Sequence, residues 1–422
     1  MIAIDFGTTN SSIATFTEGD SEPRLQQVEY ADPDGLNANV MPSAVCICKT
    51  HECHSQANKA GNDAVRHYFG TNHDISFLQE MKLHFDVTTK RQPTLVETSE
   101  YTILREEDGS FLTPTRKVVK QAIYEGDVPL EPKDFVPGTA ILIQDLMTRA
   151  NVLKEARREA VFGVPASFKD AGKKRLRNAA RLAIAGESGN FEHIHIYPEP
   201  LAAARAYMHV HKGNILVLDY GGGTLDISVL QIEKELRFDA SKVTFGGFSE
   251  GGSRMDQMLL DYALDKADPS GKHLKKWHEA QNILVKRRIK RNVEKAKIQL
   301  STTSETTIDF PGASVDPVRI NRADLALALQ GIMARMTATV TDIVINAVGK
   351  IDNITFVVLS GGSSLTSSVQ NTIENIFRHL PRSQFVVPDA SKPEDVQTCL
   401  CAVAKGLAWL RKDGFPPIDF GD

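Results

Sequence analysis

The sequence predicts an α/β protein of at least two lobes, and three observations carry that reading. Strand-like runs alternate with helical patterns along the chain: a hairpin over residues 2–16, AVFGVPASF from 160, DAGKKRLRNAARLAIAG from 170 and ILVLDYGGGTLDISVLQI from 215. That alternation is the pattern of layered α/β folds. At 422 residues, 41% hydrophobic and 24% charged, the chain exceeds the ~250 to 300 residues at which a single core stops growing. Finally, IAIDFGTTNSSIATF and LVLDYGGGTLDISVLQI share one plan: apolar strand, Asp, aromatic, glycine turn, threonine, apolar strand. Two lobes can each contribute one such loop, or the likeness can be coincidence, since glycine-tipped hairpins are common.

Composition narrows the classes of partner. A formal net charge of −4 gives no global field favouring nucleic acid or anionic lipid. The start MIAIDFG has no basic leader region, and no apolar run approaches the ~18 to 20 residues that span a bilayer. The expectation is a cytoplasmic protein with no membrane partner. Five cysteines spread thinly over this length fit a reducing compartment better than a disulfide framework.

In chain order, the first element is loaded at its tip. Ile2, Ala3 and Ile4 form a strand, Asp5 follows, the chain turns at Gly7, Thr8, Thr9 and Asn10, and Ser12 to Phe16 return. The cluster Cys46, Cys48, Cys53 with His51 and His54 has metal-ligand chemistry, but AVCIC also reads as apolar strand cysteines followed by a polar loop, and the spacing is not a common zinc pattern. Segment 86–140, with Pro93, Pro114, Pro129, Pro132 and Pro137, reads as a peripheral subdomain or a long excursion.

The next loaded element is Asp219-Tyr220-Gly221-Gly222-Gly223-Thr224-Leu225-Asp226. Three successive glycines cost backbone entropy and contribute no packing, so their place at a strand end implies close approach to the main chain. Phosphate suits that place, because consecutive backbone N–H groups in a turn make an anion-binding concavity. Gly7, Thr8 and Thr9 offer the same chemistry. Asp5, Asp219 and Asp226 would repel phosphate unless a divalent cation lay between, and magnesium is held in that way, through waters, carboxylates and phosphate oxygens. Together the two loops imply a nucleoside triphosphate held between lobes.

Two further elements complete the pattern. In NILVKRRIKRNVEKAKIQLS, Val285, Ile289, Val293, Ala296 and Leu300 recur at helical spacing as the buried stripe, and Glu294, Lys297 and Ser301 share a neighbouring face. Ten Lys or Arg lie between 272 and 297. Without interleaved aromatics they read as a solvated face in preference to a nucleic-acid surface. At 354–365 the strand-like ITFVVLS runs into Gly361, Gly362 and Ser363, either an ordinary strand-to-helix turn or, after two phosphate loops, a nucleoside-binding edge.

These residues resemble the nucleotide-binding domain of the Hsp70 chaperones, within the actin, hexokinase and Hsp70 ATPase superfamily. The motifs are IDFGTTNSSIA, VMPSAV, FLQEMKL, VPASFKDAGKKRLRNAARLA, YPEPLAAARAY, LDYGGGTLDIS, GGSRMD, EKAKIQLS and LSGGSSL, in the family's order. The resemblance implies a two-lobed actin-like ATPase fold, with duplicated ribonuclease-H-like cores and a nucleotide cleft between lobes. It places lobe I at 1–213 (core 1–40 and 141–213, peripheral subdomain 41–140) and lobe II at 214–398 (core 214–250 and 326–398, peripheral subdomain 251–325), with 399–422 a C-terminal helix returning to lobe I. It also implies roles. Asp5 and Asp219 would orient waters on Mg2+; Thr8, Thr9 and the turn 221–224 would bind phosphates. Lys82 would face the γ-phosphate, Glu199 would lie near metal and water, Thr224 near the γ-phosphate and Asp226 near the catalytic water. Glu294, Lys297 and Ser301 would hold ribose and base.

Departures from the family pattern are as informative. Ile298 and Leu365 stand where the family places two arginines against the adenine, so aliphatic walls replace a cation–π contact worth roughly 0.5 to 2 kcal/mol. Arg254 stands where an acid is usual, and Lys173 where the family has an arginine coupled to the proline that is here Pro165. The sequence ends where the resemblance places the end of the nucleotide-binding domain. The expectation is a slow Mg2+-dependent ATPase, binding ATP and ADP, whose lobe closure regulates a protein partner, a co-chaperone or a client supplied in trans. A nucleotide-binding scaffold with little turnover, or a small-molecule kinase of the same fold, are the alternatives.

Overall fold

A computed structural model describes residues 1–7, 10–17, 19–28, 40–43, 45–48, 58–60, 75–78, 99–102, 115–118, 136–152, 159–165, 168, 170–185, 193–207, 212–232, 243–248, 250–270, 273–281 and 283–417. The chain divides into two units: Met1–His209 with Cys401–Asp422, and Val210–Leu400.

In the first unit the described strands are β1 (Ile2–Asp5), β2 (Asn10–Thr15), β3 (Arg24–Leu25), β4 (Val40–Pro42), β5 (Val45–Cys48), β6 (Asn58–Ala60), β7 (Ile75–Leu78), β8 (Ser99–Thr102), β9 (Thr115–Val118), β10 (Glu159–Val164) and β11 (His193–Pro198). Its helices are α1 (Val136–Arg149), α2 (Asp170–Ala185) and α3 (Glu199–Tyr207). The main sheet runs β11-β10-β1-β2-β3, with β4 also on β2. β1 and β2 form the antiparallel hairpin expected of residues 2–16, with Asp5 opposite Ser12. β10 lies parallel to both β1 and β11, so β10, α2 and β11 make a βαβ unit. Strands covered on both faces need unbroken apolar runs, and Ala160 to Val164 are all buried. Ile2, Ile4, Ile13, Phe162, Leu142, Leu146, Leu176 and Ala180 join in one core. The AVCIC segment is strand β5, between β6 and β7; His51, Cys53 and His54 lie outside the described residues.

The second unit contains β12 (Gly213–Tyr220), β13 (Leu225–Ile232), β14 (Val243–Phe248), α4 (Gly252–Ala267), α5 (Leu274–Ala280), α6 (Ile283–Thr302), β15 (Glu305–Ile308), β16 (Val318–Asn321), α7 (Arg322–Val348), β17 (Phe356–Ser360), α8 (Ser367–Ile376) and β18 (Phe385–Val386). Its sheet order is β14-β13-β12-β17-β18. β12 and β13 form a hairpin, and β12 lies parallel to β17. The plan of the first unit is therefore repeated strand for strand: hairpin partner and outer antiparallel strand on one side, two parallel strands on the other. The repeat visible in two hairpin sequences extends to five strands. The glycine turn after β17 is a short 3-10 segment, Gly362–Leu365, leading into α8.

Four of the five stripe residues expected of α6 are buried: Ile289, Val293 and Leu300 are fully enclosed, with Ala296, in the core shared with α4 and α7, while Val285 is half-buried against it. α9 (Pro393–Lys412) begins in the second unit and ends in the first. In the first unit its last turns meet β2 and α3. Trp409 lies edge-on to Phe16, with centroids 6.1 Å apart, and has the Arg205 guanidinium and the Lys412 ammonium each 4.7 Å from its ring centre. Arg205 also pairs with Asp413 at 2.6 Å, Arg411 with Glu159 at 2.5 Å, and the Tyr197 hydroxyl donates to the Phe415 carbonyl at 2.8 Å.

Candidate functional site

In the first unit the expected residues lie at strand ends. Asp5 closes β1 and Asn10 opens β2. Gly7 between them permits a close approach that no side chain allows, since a β-carbon there would fall 1.9 Å from the Asn10 carbonyl oxygen. Asp5 has Cys401 of α9 as a neighbour: burial, reinforced by the Asp5 carboxylate, pushes the Cys401 thiol up to about 12, against a hydrogen bond with Ser12. Glu199, 3% exposed, opens α3 directly after β11, where helix N–H groups favour a carboxylate. Gly163 of β10 leaves the space it fills: a β-carbon there would lie 2.8 Å from Glu199 Cγ. Thr8, Thr9 and Lys82 lie outside the described residues.

In the second unit four separated segments come together. Asp219, next to last in β12, lies opposite Asp226 of β13, and both are buried with Thr224. The intervening turn is closed by the Gly221 N–H, which donates to the Thr224 carbonyl at 3.0 Å. The first turn of α4 packs main chain against main chain on it: the Gly252 N–H donates to Gly221 O at 3.0 Å, and the Ser253 N–H to Gly222 O at 2.8 Å. Gly251 makes this possible, because a β-carbon there would lie 2.6 Å from Gly221 O. From the third segment the Ser363 hydroxyl donates to Gly221 O at 2.8 Å. Gly361 sits at φ +81°, and a β-carbon there would lie 2.5 Å from Tyr220 O and 2.7 Å from Asp219 Oδ1; only glycine combines that φ with that approach. The fourth segment is α6, whose Lys297 donates to the Gly252 carbonyl at 3.2 Å and pairs with Asp256 at 2.7 Å.

The other residues of α6 differ in setting. Burial pushes the Glu294 carboxyl up, reinforced by the Asp256 carboxylate and opposed by Lys297, Lys290 and Arg291. Ser301 is half-buried, and its carbonyl accepts from Arg322 at 3.2 Å. Ile298 is 49% exposed, a large aliphatic surface on the helix that carries Glu294 and Lys297. Leu365 is half-buried and Gly362 exposed.

This donor set fits a magnesium-bound polyphosphate. Among the described residues the outer side of the turn is open, since a β-carbon at Gly221 would meet only Thr224 O of them, at 3.8 Å. Carboxylates at Asp219 and Asp226 border it, as an oxygen-seeking cation requires. Asp256, Gly251 and Gly252 were not among the residues expected for the site. The glycine pair signals close backbone approach, but the Asp256–Lys297 pairing joins two helices and leaves no local signal.

Known proteins are similar to this chain over most of its length. A family model described as Hsp70 protein matches residues 1–391. Two proteins named chaperone protein DnaK, from two strains of Thermus thermophilus, are each 30% identical over 402 residues, covering 92% of this chain and 58% of theirs. A mitochondrial heat shock 70 kDa protein of Pisum sativum is 28% identical over 403 residues, covering 92% of this chain and 53% of its own. The chain thus spans a little over half the length of these curated relatives.

Proposed function

The chain belongs to the Hsp70 family, and from that premise we propose that it binds ATP and ADP with Mg2+, hydrolyses ATP slowly, and couples its nucleotide state to a protein partner supplied in trans, a co-chaperone or a client. The observation that carries this reading is the convergence, in the second unit, of the 219–226 turn, the first turn of α4, the polar face of α6 and the 361–365 turn. A glycine turn beside carboxylates suits phosphate and metal together.

Each residue then has a task. Gly221 closes the turn through its own N–H, leaving Gly222 and Gly223 to present N–H groups, and Thr224 a hydroxyl, to phosphate oxygens. Asp5 and Asp219 accept hydrogen bonds from waters on the cation. Lys82 directs positive charge at the transferring phosphoryl group, while Glu199 and Asp226 orient the attacking water. Magnesium, when bound, supplies neutralisation of the charge that develops on the phosphates. Glu294 and Ser301 face ribose and base, with Ile298 and Leu365 as apolar walls. ATP draws the lobes together and ADP lets them part, which gives the partner a surface to read. A cytosolic setting suits the buried Cys399 and Cys401, neither of them in a disulfide, and no helix among the described residues is long and apolar enough to cross a membrane.

A second reading, a nucleotide-binding scaffold with little turnover, is favoured by the exposed aliphatic Ile298 and by Arg254, exposed in the first turn of α4. Calorimetric titration with ATP, ADP and GTP, with and without Mg2+, followed by phosphate release with and without small-molecule acceptors, separates the readings. Release from ATP alone is the expected result. Binding without release establishes the scaffold, and acceptor-dependent transfer a kinase.

A further inference from the structure

Asp256 has no role in the scheme above, yet it lies at the root of the convergence. It is 4% exposed, one turn into α4, and its Oδ1 is 2.7 Å from the ammonium of Lys297, itself 9% exposed. The same ammonium donates to the Gly252 carbonyl at 3.2 Å. Gly252 in turn donates its N–H to Gly221 O, which also accepts from Ser363. One line of contacts therefore runs from the Asp256 carboxylate through α6 to the glycine turn and the 361–365 turn. A lysine ammonium on a flexible four-carbon stem has no direction of its own. When it is buried, its direction comes from its counter-charge.

We propose that Asp256 is a positioning residue for the nucleotide site: its carboxylate aims the Lys297 ammonium at the Gly252 carbonyl, and so holds the 221–223 turn and the polar face of α6 in one arrangement. The inference rests on the nucleotide-binding reading above and adds a specific dependence within it. Asp256 acts through Lys297, so the two residues should behave as one unit and not as independent contributors.

The test uses the full chain and four variants: Asp256→Asn, Asp256→Glu, Lys297→Met, and the double variant Asp256→Asn with Lys297→Met. Asp256→Asn should weaken MgADP binding by about tenfold or more while its single-turnover rate at saturating ATP stays within about threefold of the parent. It should also speed amide exchange at Gly252 and Ser253 in the nucleotide-free protein, and Asp256→Glu should recover part of both losses. The double variant should bind no more weakly than the weaker single. Parent-like affinity in Asp256→Asn, or additive losses in the double variant, would overturn the proposal. If Asp256→Asn fails to fold because Lys297 is left buried without a counter-charge, the pair of Lys297→Met and the double variant decides: equal affinity upholds the claim and a further loss ends it. A parent chain that binds no nucleotide would sink the functional reading instead. The exchange comparison would then decide the positioning claim alone, with unchanged exchange counting against it.

Discussion

Asp219 sits next to last in β12 with Asp226 opposite, a place where charge can be removed with almost no change of shape. Asp219→Asn keeps the volume and loses the negative charge that, in the proposed site, would orient water on a cation. It should cut ATP turnover by about 10² or more, the scale of one preorganised electrostatic contact, with little change in urea midpoint; unchanged turnover would remove Asp219 from the reaction. Ile298 and Leu365 ask a different question. Aliphatic walls give dispersion and exclude water but lack the charge–quadrupole attraction of an arginine. Arginine at both positions should tighten ATP by about 1 to 2 kcal/mol once side-chain ordering is subtracted, and Ile298→Ala should loosen it. A paired titration with ATP and with ribose triphosphate reads the difference. Equal binding by all three proteins, or an equal response of the base-free control, would place these residues away from the base.

Helix α7 begins with a reciprocal cap. The Asp324 N–H donates to the Asn321 side chain and the Asn321 N–H to Asp324 Oδ2, each at 2.9 Å. Two orphan donors are thereby satisfied. Asn321→Ala should cost about 1 kcal/mol in urea unfolding. Asp324 also accepts from Lys266 and from the Tyr262 hydroxyl, each at 2.7 Å. Burial alone would raise its pKa, but the hydrogen bonds from Lys266, Tyr262 and the Asn321 backbone outweigh it and hold the carboxyl below its ordinary value. The folded state therefore binds its proton less readily than the unfolded chain does. The stabilisation is complete above the unfolded pKa, about 3.9, and fades as pH falls through the folded value. The stability gap between the parent and Asp324→Asn should thus be largest at neutral pH and shrink toward pH 3. A gap that is constant across that range would deny the carboxylate its part.

At the scale of the molecule, a six-stranded and a five-stranded sheet share one five-strand plan, and much of that plan was legible because its signals are local. The hairpins announce themselves by apolar runs around a glycine turn, and α6 by a stripe at 3.6-residue spacing that is buried from Ile289 to Leu300. The parallel neighbours were not legible in the same way: that β17 lies beside β12, or β10 beside β1, depends on packing between residues far apart in the chain. The site divides likewise. Glycine turns were readable because few other roles explain three glycines in a row, whereas the ion pair beneath them joins α4 to α6 and has no periodicity to betray it. The packing of the last turns of α9 within the first unit has an optical consequence. The chain has two tryptophans, Trp409 in the first unit between two cations, and Trp277 packed against the core of the second. Each unit thus carries its own fluorophore, and Trp277→Phe and Trp409→Phe make two reporters from one protein. MgADP should raise the melting midpoint read through Trp277, in proportion to the logarithm of its concentration above Kd; a midpoint indifferent to MgADP would mean that the second unit does not hold the nucleotide. Emission from Trp409 should shift when Lys412→Met removes one of its two cations, with Trp277 emission unaltered.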